Sequence, residues 1–472
     1  MPETWQPTAD RAAAAALGAI LDDVGYSEEA VEDMLGDGAY ESGRAELPVL
    51  ERRLAPTALG AVVRACFLGL PTPEAGAPRG FARTLAACGL AARARGTLVP
   101  HGRLAPVEGV LLASDGYSRG EDPADYVATY TPTARTCVLL TPRPRVKSAL
   151  DVGTGSGIHA LLAAGHADRV VATDVNERAL AFTAFNAALN GLDHVEVRRG
   201  SLFEPAADET FDLVTCNAPF VVSPESRFVF RDGALPADEL SERVVAGAVS
   251  HLADGGFATL LVSWVARDPD DPDERPLAWL DGTDCDAWVL GFSGGDPLDH
   301  AAGWNDYLQD EPERYAAALD EWTAYFERLG VRWITEGAVL LHRRQGVEHV
   351  IRFDPLDADE LEDASEQIER AFTARAAAAA RGVGGARLRL ASDVRIERDY
   401  TGIELVEARI RQLEGMRFER VVSPDEADAL ASPDGDVPAE LLEELLELGF
   451  LDVSPTTRGG GRRGGEESSG RT

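Results

Sequence analysis

The sequence predicts an α/β fold in the middle of the chain, with a mostly parallel sheet covered by helices on both faces. A short apolar strand from Val146 runs into Asp151-Val-Gly-Thr-Gly-Ser-Gly157, after which apolar residues take helical spacing. Three further apolar strands follow: a second at Arg169–Thr173, which ends on Asp174, a third at Val195–Arg198, and a fourth at Phe211–Cys216, which leads into Asn217. Strands that alternate with helices in this way favour a parallel sheet. Ligands of such sheets bind beyond the carboxyl ends of the strands, so we expect these segments to meet in one site.

A chain of 472 residues is too long for one compact core and predicts two or three domains. We expect an N-terminal accessory domain at 1–122, a central domain at 123–352, a small α+β C-terminal domain at 353–455 and a tail at 456–472. The tail is rich in glycine, arginine and serine, and its low content of apolar residues predicts disorder.

The N-terminal domain is predicted to be mainly helical, and a β-ribbon follows its helices. The predicted elements are helices at Ala12–Leu21, Ala30–Leu35, Leu59–Leu68 and Phe81–Ala92 and a ribbon at Thr97–Ala113. Helices followed by a ribbon suit a winged-helix domain that recruits substrate, but they equally suit a module that covers one end of the sheet. Fold alone does not decide between these interpretations.

Further elements are predicted beyond Phe220 from apolar spacing. They are a helix at Leu240–Leu252, a strand at Phe257–Trp264, a helix at Asn305–Leu329, an antiparallel edge strand at Ala338–Arg343 and a helix from Asp357 to about Ala380.

The charge and the cysteine content of the chain exclude few classes of function. The net charge of −35 would disfavour nucleic acid, but Lys147 is the only lysine, which suggests a proteome-wide habit rather than a local signal. Five scattered cysteines without C-x-x-C pairs predict no metal site. No apolar run reaches the roughly 20 residues that cross a bilayer, and Met1–Trp5 begins no signal peptide. We therefore predict a cytoplasmic protein without a membrane partner.

Two cofactor classes fit the glycine loop. The run Gly155-x-Gly157-x-x-Ala160 satisfies a dinucleotide fingerprint, with Asp174 near the spacing of a ribose-binding acid. Alternatively, Asp151 leads into Gly153-x-Gly155-x-Gly157 as in loops that bind S-adenosylmethionine, whose ammonium group a carboxylate can meet. Glycines serve either ligand because the backbone must approach it closely, and Asp174 can accept hydrogen bonds from ribose hydroxyls in both cases.

The segment Asn217-Ala-Pro-Phe220 after the fourth strand separates the two classes. It resembles the Asn-Pro-Pro-Phe/Tyr motif of class I methyltransferases that act on planar nitrogen, in particular the group of release-factor glutamine and ribosomal RNA guanine methyltransferases. The resemblance covers about 125–345 and implies a Rossmann-like, mostly parallel seven-stranded sheet and S-adenosyl-L-methionine as the cofactor.

The motif has a physical rationale as a catalytic and substrate-binding segment, and we expect Asn217 to contact the cofactor as well. An amide or exocyclic amino group is a poor nucleophile because its lone pair is delocalised. The Asn217 side-chain oxygen and the Ala218 carbonyl could hold its two hydrogens, while Pro219 fixes the backbone and Phe220 stacks on the planar group. Transfer then depends on alignment rather than on a strong base. Ala218 replaces the usual first proline, but a backbone carbonyl keeps the proposed role.

The resemblance also assigns cofactor contacts after the third strand. Ser201 stands where the group usually has an aspartate that meets the adenine amino group, and Leu202 would pack against the adenine face. The sequence therefore predicts an N-methyltransferase for a macromolecular substrate: ribosomal or transfer RNA, favoured by the accessory domains, or a glutamine in a translation-factor protein. A small-molecule substrate, a cofactor-binding regulatory or assembly protein without turnover, and an NAD-dependent oxidoreductase remain alternatives.

Overall fold

The chain divides into two compact units, Met1–Ser365 and Glu366–Thr472. Strand β13, at Ile351–Pro355, spans the expected boundary between 352 and 353 and belongs to the first unit. The computed structural model describes residues 5–8, 10–117, 122–217, 220–224, 235–381, 388–432 and 436–453. The predicted tail at 456–472 lies outside them.

The first unit begins with five α-helices and two small sheets. The helices are α1 (Arg11–Asp23), α2 (Glu28–Leu35), α3 (Leu47–Arg53), α4 (Ala58–Val62) and α5 (Phe81–Ala87). The strands are β1 (Thr72–Pro73), β2 (Ala91–Ala94), β3 (Thr97–Pro100), β4 (Arg103–Val107) and β5 (Val110–Ser114). The order β1-β3-β2 makes one sheet, and β4 pairs with β5 in the other. The helix expected to reach Ala92 ends at Ala87, because Gly89 takes a left-handed φ of 74° and turns the chain into β2.

One large sheet organises the rest of the first unit. Its strands are β6 (Val146–Val152), β7 (Ala167–Asp174), β8 (Val195–Arg199), β9 (Phe211–Cys216), β10 (Leu252–Ala266), β11 (Cys285–Gly295), β12 (Trp333–Arg343) and β13. The accompanying helices are α6 (Pro132–Leu140), α7 (Ile158–Ala163), α8 (Glu177–Leu189), α9 (Glu239–His251), α10 (Glu274–Leu280), α11 (Pro297–Trp304) and α12 (Pro312–Leu329).

The strand order is β13-β11-β12-β10-β9-β6-β7-β8, and every neighbouring pair is parallel except the two that involve β12. The α/β class is confirmed, but two details of the prediction are wrong. The sheet has eight strands rather than seven, because β13 pairs with β11 from Ala287↔Ile351 to Gly291↔Pro355. Strand β12 is antiparallel as predicted, yet it lies inside the sheet between β10 and β11 instead of at an edge.

The helix predicted at Asn305–Leu329 ends where expected, but its predicted start is wrong. Helix α11 ends at Trp304, and α12 begins at Pro312. A proline disfavours helical backbone at the residue before it and is well tolerated in the first turn of a helix. Pro312 therefore starts a new helix.

The second unit contains three helices and five strands within the described residues. They are α13 (Ser365–Arg381), α14 (Pro424–Ala431), α15 (Ala439–Glu447), β14 (Leu388–Leu390), β15 (Val394–Thr401), β16 (Glu404–Gln412), β17 (Glu419–Val422) and β18 (Leu451–Val453). Strands β15, β16 and β17 form an antiparallel sheet, and β14 pairs with β18. The helix expected from Asp357 begins at Ser365, whose N–H donates to the Asp363 carboxylate. None of the helices described in either unit has the length and apolarity needed to cross a membrane.

Candidate active site

Three neighbouring strands end at the same level and bring the predicted site segments together. Val152 on β6 pairs with Thr173 on β7 and, on its other side, with Cys216 on β9. Gly153, Asp174 and Asn217 each follow directly after one member of this row. Adjacent strands lie about 4.8 Å apart. These three residues therefore lie side by side at the carboxyl edge of the sheet.

The glycine loop needs left-handed backbone at each of its three glycines. Gly153, Gly155 and Gly157 have φ values of 69°, 56° and 93°, which side chains disfavour. A Cβ at Gly157 would also lie 2.9 Å from the Thr183 side chain on α8, so this glycine allows close packing of the loop on the helix. A Cβ at Gly155 would meet no atom within 4 Å, which leaves open space beside the loop.

Asp151 is buried beneath this loop and connects it to β9. One carboxylate oxygen accepts a 2.6 Å hydrogen bond from the Thr154 hydroxyl, and the other accepts a 2.9 Å bond from the Thr215 hydroxyl. Asp151 therefore fixes the loop to β9 and places a carboxyl group beneath it.

Asp174 connects the end of β7 to the glycine loop. Its Oδ2 accepts a 3.0 Å hydrogen bond from the Gly155 N–H, and its Oδ1 accepts a 2.8 Å bond from the Asn176 N–H. Burial raises the pKa of the Asp174 carboxyl, an effect partly opposed by these N–H donors. The cap of α8 is Asn176, whose side chain accepts from the Arg178 N–H, so Asp174 is not spent on capping the helix.

Ser201 and Leu202 lie in the loop that follows β8. Ser201 is exposed, and Leu202 takes a left-handed φ of 48°, a conformation that costs a leucine about 1–2 kcal/mol. The Leu202 carbonyl accepts a 3.2 Å bond from the Thr173 hydroxyl, and the Gly200 N–H donates to the Asp174 carbonyl at 3.1 Å. This loop is thus held against the end of β7, beside Asp174.

Asn217 and Phe220 follow β9, and both are half-buried. The predicted acceptor Ala218 and the predicted rigid residue Pro219 lie outside the described residues. The Phe220 carbonyl accepts a hydrogen bond from the Ser263 hydroxyl on β10. The chain that leaves Asn217 is therefore anchored on the neighbouring strand.

An ion-pair network beside the site has no counterpart in the sequence analysis. Arg178, near the start of α8, makes a bidentate pair with buried Asp115 at 2.7 and 3.0 Å. The same guanidinium donates to the Asp125 carbonyl at 2.7 Å, and the Asn176 amide donates to it at 3.1 Å. The segment around Asp125 is thereby held next to the turn that follows Asp174. No sequence signal indicates these contacts, because they join residues more than 50 positions apart.

Residues 135–266 match the model of the methyltransferase small domain. This match agrees with the resemblance of the central segment to class I methyltransferases, a class that uses S-adenosylmethionine. The chain is 34% identical over 169 residues to the ribosomal protein uL3 glutamine methyltransferase of Bradyrhizobium diazoefficiens. This alignment covers 32% of this chain and 52% of the relative. It is 34% identical over 129 residues to the release factor glutamine methyltransferase of Xylella fastidiosa, covering 24% of this chain and 46% of the relative.

The predicted resemblance to the release-factor methyltransferase group is confirmed by these matches. The chain nevertheless spans only about half the length of these two relatives. Among solved structures, the ribosomal protein L11 methylase of Lactobacillus delbrueckii subsp. bulgaricus aligns with 45% of this chain and 77% of its own at 19% identity, with a TM-score of 0.27.

Proposed function

We propose that this protein is an S-adenosylmethionine-dependent N-methyltransferase that acts on the side-chain amide of a glutamine in a protein. The observation that carries the proposal is the row Val152, Thr173 and Cys216, which aligns the glycine loop, Asp174 and Asn217 at one edge of a methyltransferase domain. The names of the two glutamine methyltransferase relatives favour a protein amide over the RNA substrate that the accessory domains suggested.

The chemistry of the loop residues fits S-adenosylmethionine. The open space beside Gly155 would admit the ligand next to the backbone, and Asp174 would accept hydrogen bonds from its ribose hydroxyls. The Asp151 carboxylate, on the other side of the loop, would attract the positively charged amino group of S-adenosylmethionine. Ser201 and Leu202 would contact the adenine ring, with Ser201 accepting from its amino group. When bound, this cofactor supplies an electrophilic methyl group.

Catalysis would depend on how the chain holds the amide nitrogen. In the proposal, the Asn217 side-chain oxygen and the Ala218 carbonyl each accept one hydrogen of the substrate NH₂ group, which favours a pyramidal nitrogen with its lone pair directed at the methyl group. Pro219 would limit backbone freedom and Phe220 would stack on the planar amide. The hydrogen bond from Ser263 to the Phe220 carbonyl would hold this segment in place. A reaction of this kind gains its rate from alignment.

Transfer of tritium from labelled S-adenosylmethionine tests the proposal. The full chain and the Asn217→Ala variant are incubated with cell lysate, and RNA is then separated from protein. We expect label in the protein fraction at a glutamine, loss of that label with Asn217→Ala, and a cofactor affinity of the variant that is largely retained by isothermal titration. Label confined to RNA would contradict a glutamine substrate. Cofactor binding without label in either fraction would favour a regulatory protein. Because the relatives' names refer to ribosomal proteins and release factors, we propose a cytoplasmic location.

A further inference from the structure

A cavity of about 410 Å³ lies at the carboxyl end of β11, within the first unit. Its volume is within the range of small-ligand pockets. Its lining includes Asp299, His300, Trp304, Ile334 and Glu336. Strand β10 is parallel to β9 and antiparallel to β12, and β12 is antiparallel to β11. Strand β11 therefore runs in the same direction as β9. The cavity and Asn217 therefore lie along the same edge of the sheet.

A direct connection joins this cavity to the segment that carries Asn217. The His300 Nε2–H, on the cavity wall, donates to the Val222 carbonyl at 3.0 Å. Val222 is five residues beyond Asn217, and an extended chain spans at most about 3.6 Å per residue. The two positions are therefore within about 18 Å, a distance that a few extended residues of a peptide substrate can cover.

The polar chemistry of the cavity is acidic. Glu336 Oε1 accepts a 3.0 Å hydrogen bond from the Trp304 indole, which is its only hydrogen-bonding partner in the described part of the chain. The second oxygen, Oε2, remains available. Asp299 adds a further carboxylate, and no arginine or lysine is among the described residues that line the cavity. A half-buried carboxylate without a cationic partner is costly, so a cation at this position would be stabilised.

The apolar surfaces of the cavity suit a side chain with an aliphatic stem. Ile334 offers aliphatic surface, and Trp304 offers an indole, the aromatic group that attracts cations most strongly. A carboxylate beside these groups matches arginine and lysine, whose stems are apolar and whose ends are charged. The same charge repels phosphate groups and therefore disfavours RNA at this position.

We propose that the cavity binds an arginine or lysine side chain of the protein substrate, close in sequence to the glutamine that is methylated. This inference rests on the proposed function for the identity of the reaction, but the binding of a basic side chain can be measured without it. Glu336 would be a specificity-determining residue rather than a catalytic one.

The direct test is a titration of the full chain with the peptide acetyl-Gly-Arg-Gly-amide. The NMR resonance of the Trp304 indole Nε1–H is monitored at each peptide concentration. This resonance, assigned with a Trp304→Phe variant, reports on Glu336 because the indole donates to it. A peptide with citrulline in place of arginine has nearly the same shape and no charge. We expect the arginine peptide to shift the resonance. We expect the citrulline peptide to bind at least tenfold more weakly in the same titration.

Two variants make the assignment specific. Glu336→Gln keeps an acceptor for the Trp304 indole and removes the charge, so we expect at least tenfold weaker binding of the arginine peptide. Glu313→Gln, an exposed position on α12, should bind as the wild type does. The proposal would be overturned by equal responses to the arginine and citrulline peptides or by no response at millimolar peptide. It would also be overturned if Glu336→Gln bound the arginine peptide as tightly as the wild type does.

Methyl transfer provides an independent measurement. If the arginine peptide binds as expected but no glutamine is labelled in lysate, the proposed reaction fails while the basic-side-chain pocket stands. If glutamine is labelled but the titration shows no preference for arginine over citrulline, the pocket assignment fails while the reaction stands.

Discussion

The Asn186 side chain on α8 satisfies both backbone groups of Ala113 on β5. Its Oδ1 accepts from the Ala113 N–H at 2.9 Å, and its amide donates to the Ala113 carbonyl at 2.9 Å and to the Ser156 carbonyl at 2.8 Å. Asn190, one turn later, pairs in the same way with Leu111. Helix α8 therefore takes the place of a neighbouring strand at the edge of β5 and joins the N-terminal elements to the glycine loop.

Replacing Asn186 with alanine should strongly destabilise the first unit. The change leaves the buried N–H and C=O of Ala113 and the Ser156 carbonyl without their partner, and each such group costs about 1–3 kcal/mol. We expect a loss of about 3 kcal/mol or more in the free energy of unfolding by urea. Asn190→Ala is the matched control with a smaller loss, because its partners are only partly buried and water can replace the amide. Equal losses in the two variants would contradict the argument that burial of the Ala113 groups sets the larger cost.

Gly157→Ala should destabilise the protein more than Gly155→Ala. Both positions have left-handed φ values, so both variants carry a backbone cost of about 1–2 kcal/mol. Only the new Cβ at position 157 would lie 2.9 Å from the Thr183 side chain, which adds about 1–3 kcal/mol of overpacking. Urea unfolding of the two variants measures the difference, and similar midpoints would show that Thr183 yields freely.

Asp174→Ala should weaken the binding of S-adenosylmethionine by about 10–100-fold. A hydrogen bond to a charged group contributes about 1.5–3 kcal/mol, and the variant also releases the Gly155 N–H from its acceptor. Asp168→Ala is a suitable control, because Asp168 lies on the same strand but pairs with Arg145 at the exposed surface. Isothermal titration compares the two, and unchanged affinity in Asp174→Ala would remove the ribose assignment.

The glycine loop, Asp174 and Asn217 could be predicted from the sequence, because each follows a strand that local apolar runs reveal. The short strand β13 could not, since its pairing with β11 depends on the partner rather than on its own pattern. The contact between Asn186 and Ala113 joins residues 73 positions apart and leaves no trace in local spacing. The cavity near Glu336 likewise needs β11, β12 and α11 in place before it exists.

The stability of the first unit should depend on pH through His300. Burial lowers the pKa of this imidazole from its usual value near 6.5 to about 4, although the Val222 carbonyl partly opposes the shift. The unfolded state therefore binds a proton that the folded state does not between these two values. Burial raises the pKa of Glu336, whose contribution has the opposite sign. A comparison of variants that all retain Glu336 isolates the histidine.

In the wild type, the contribution of His300 should be fully present above about pH 6.5 and should decline as the pH falls toward 4. The size of the pKa shift corresponds to about 1–3 kcal/mol after allowance for partial exposure. His300→Gln keeps a donor for the Val222 carbonyl and does not titrate. The difference in the free energy of urea unfolding between wild type and His300→Gln should therefore change by about 1–3 kcal/mol between pH 6.5 and pH 4. Parallel curves for wild type and His300→Gln would show that the imidazole is not held neutral by burial.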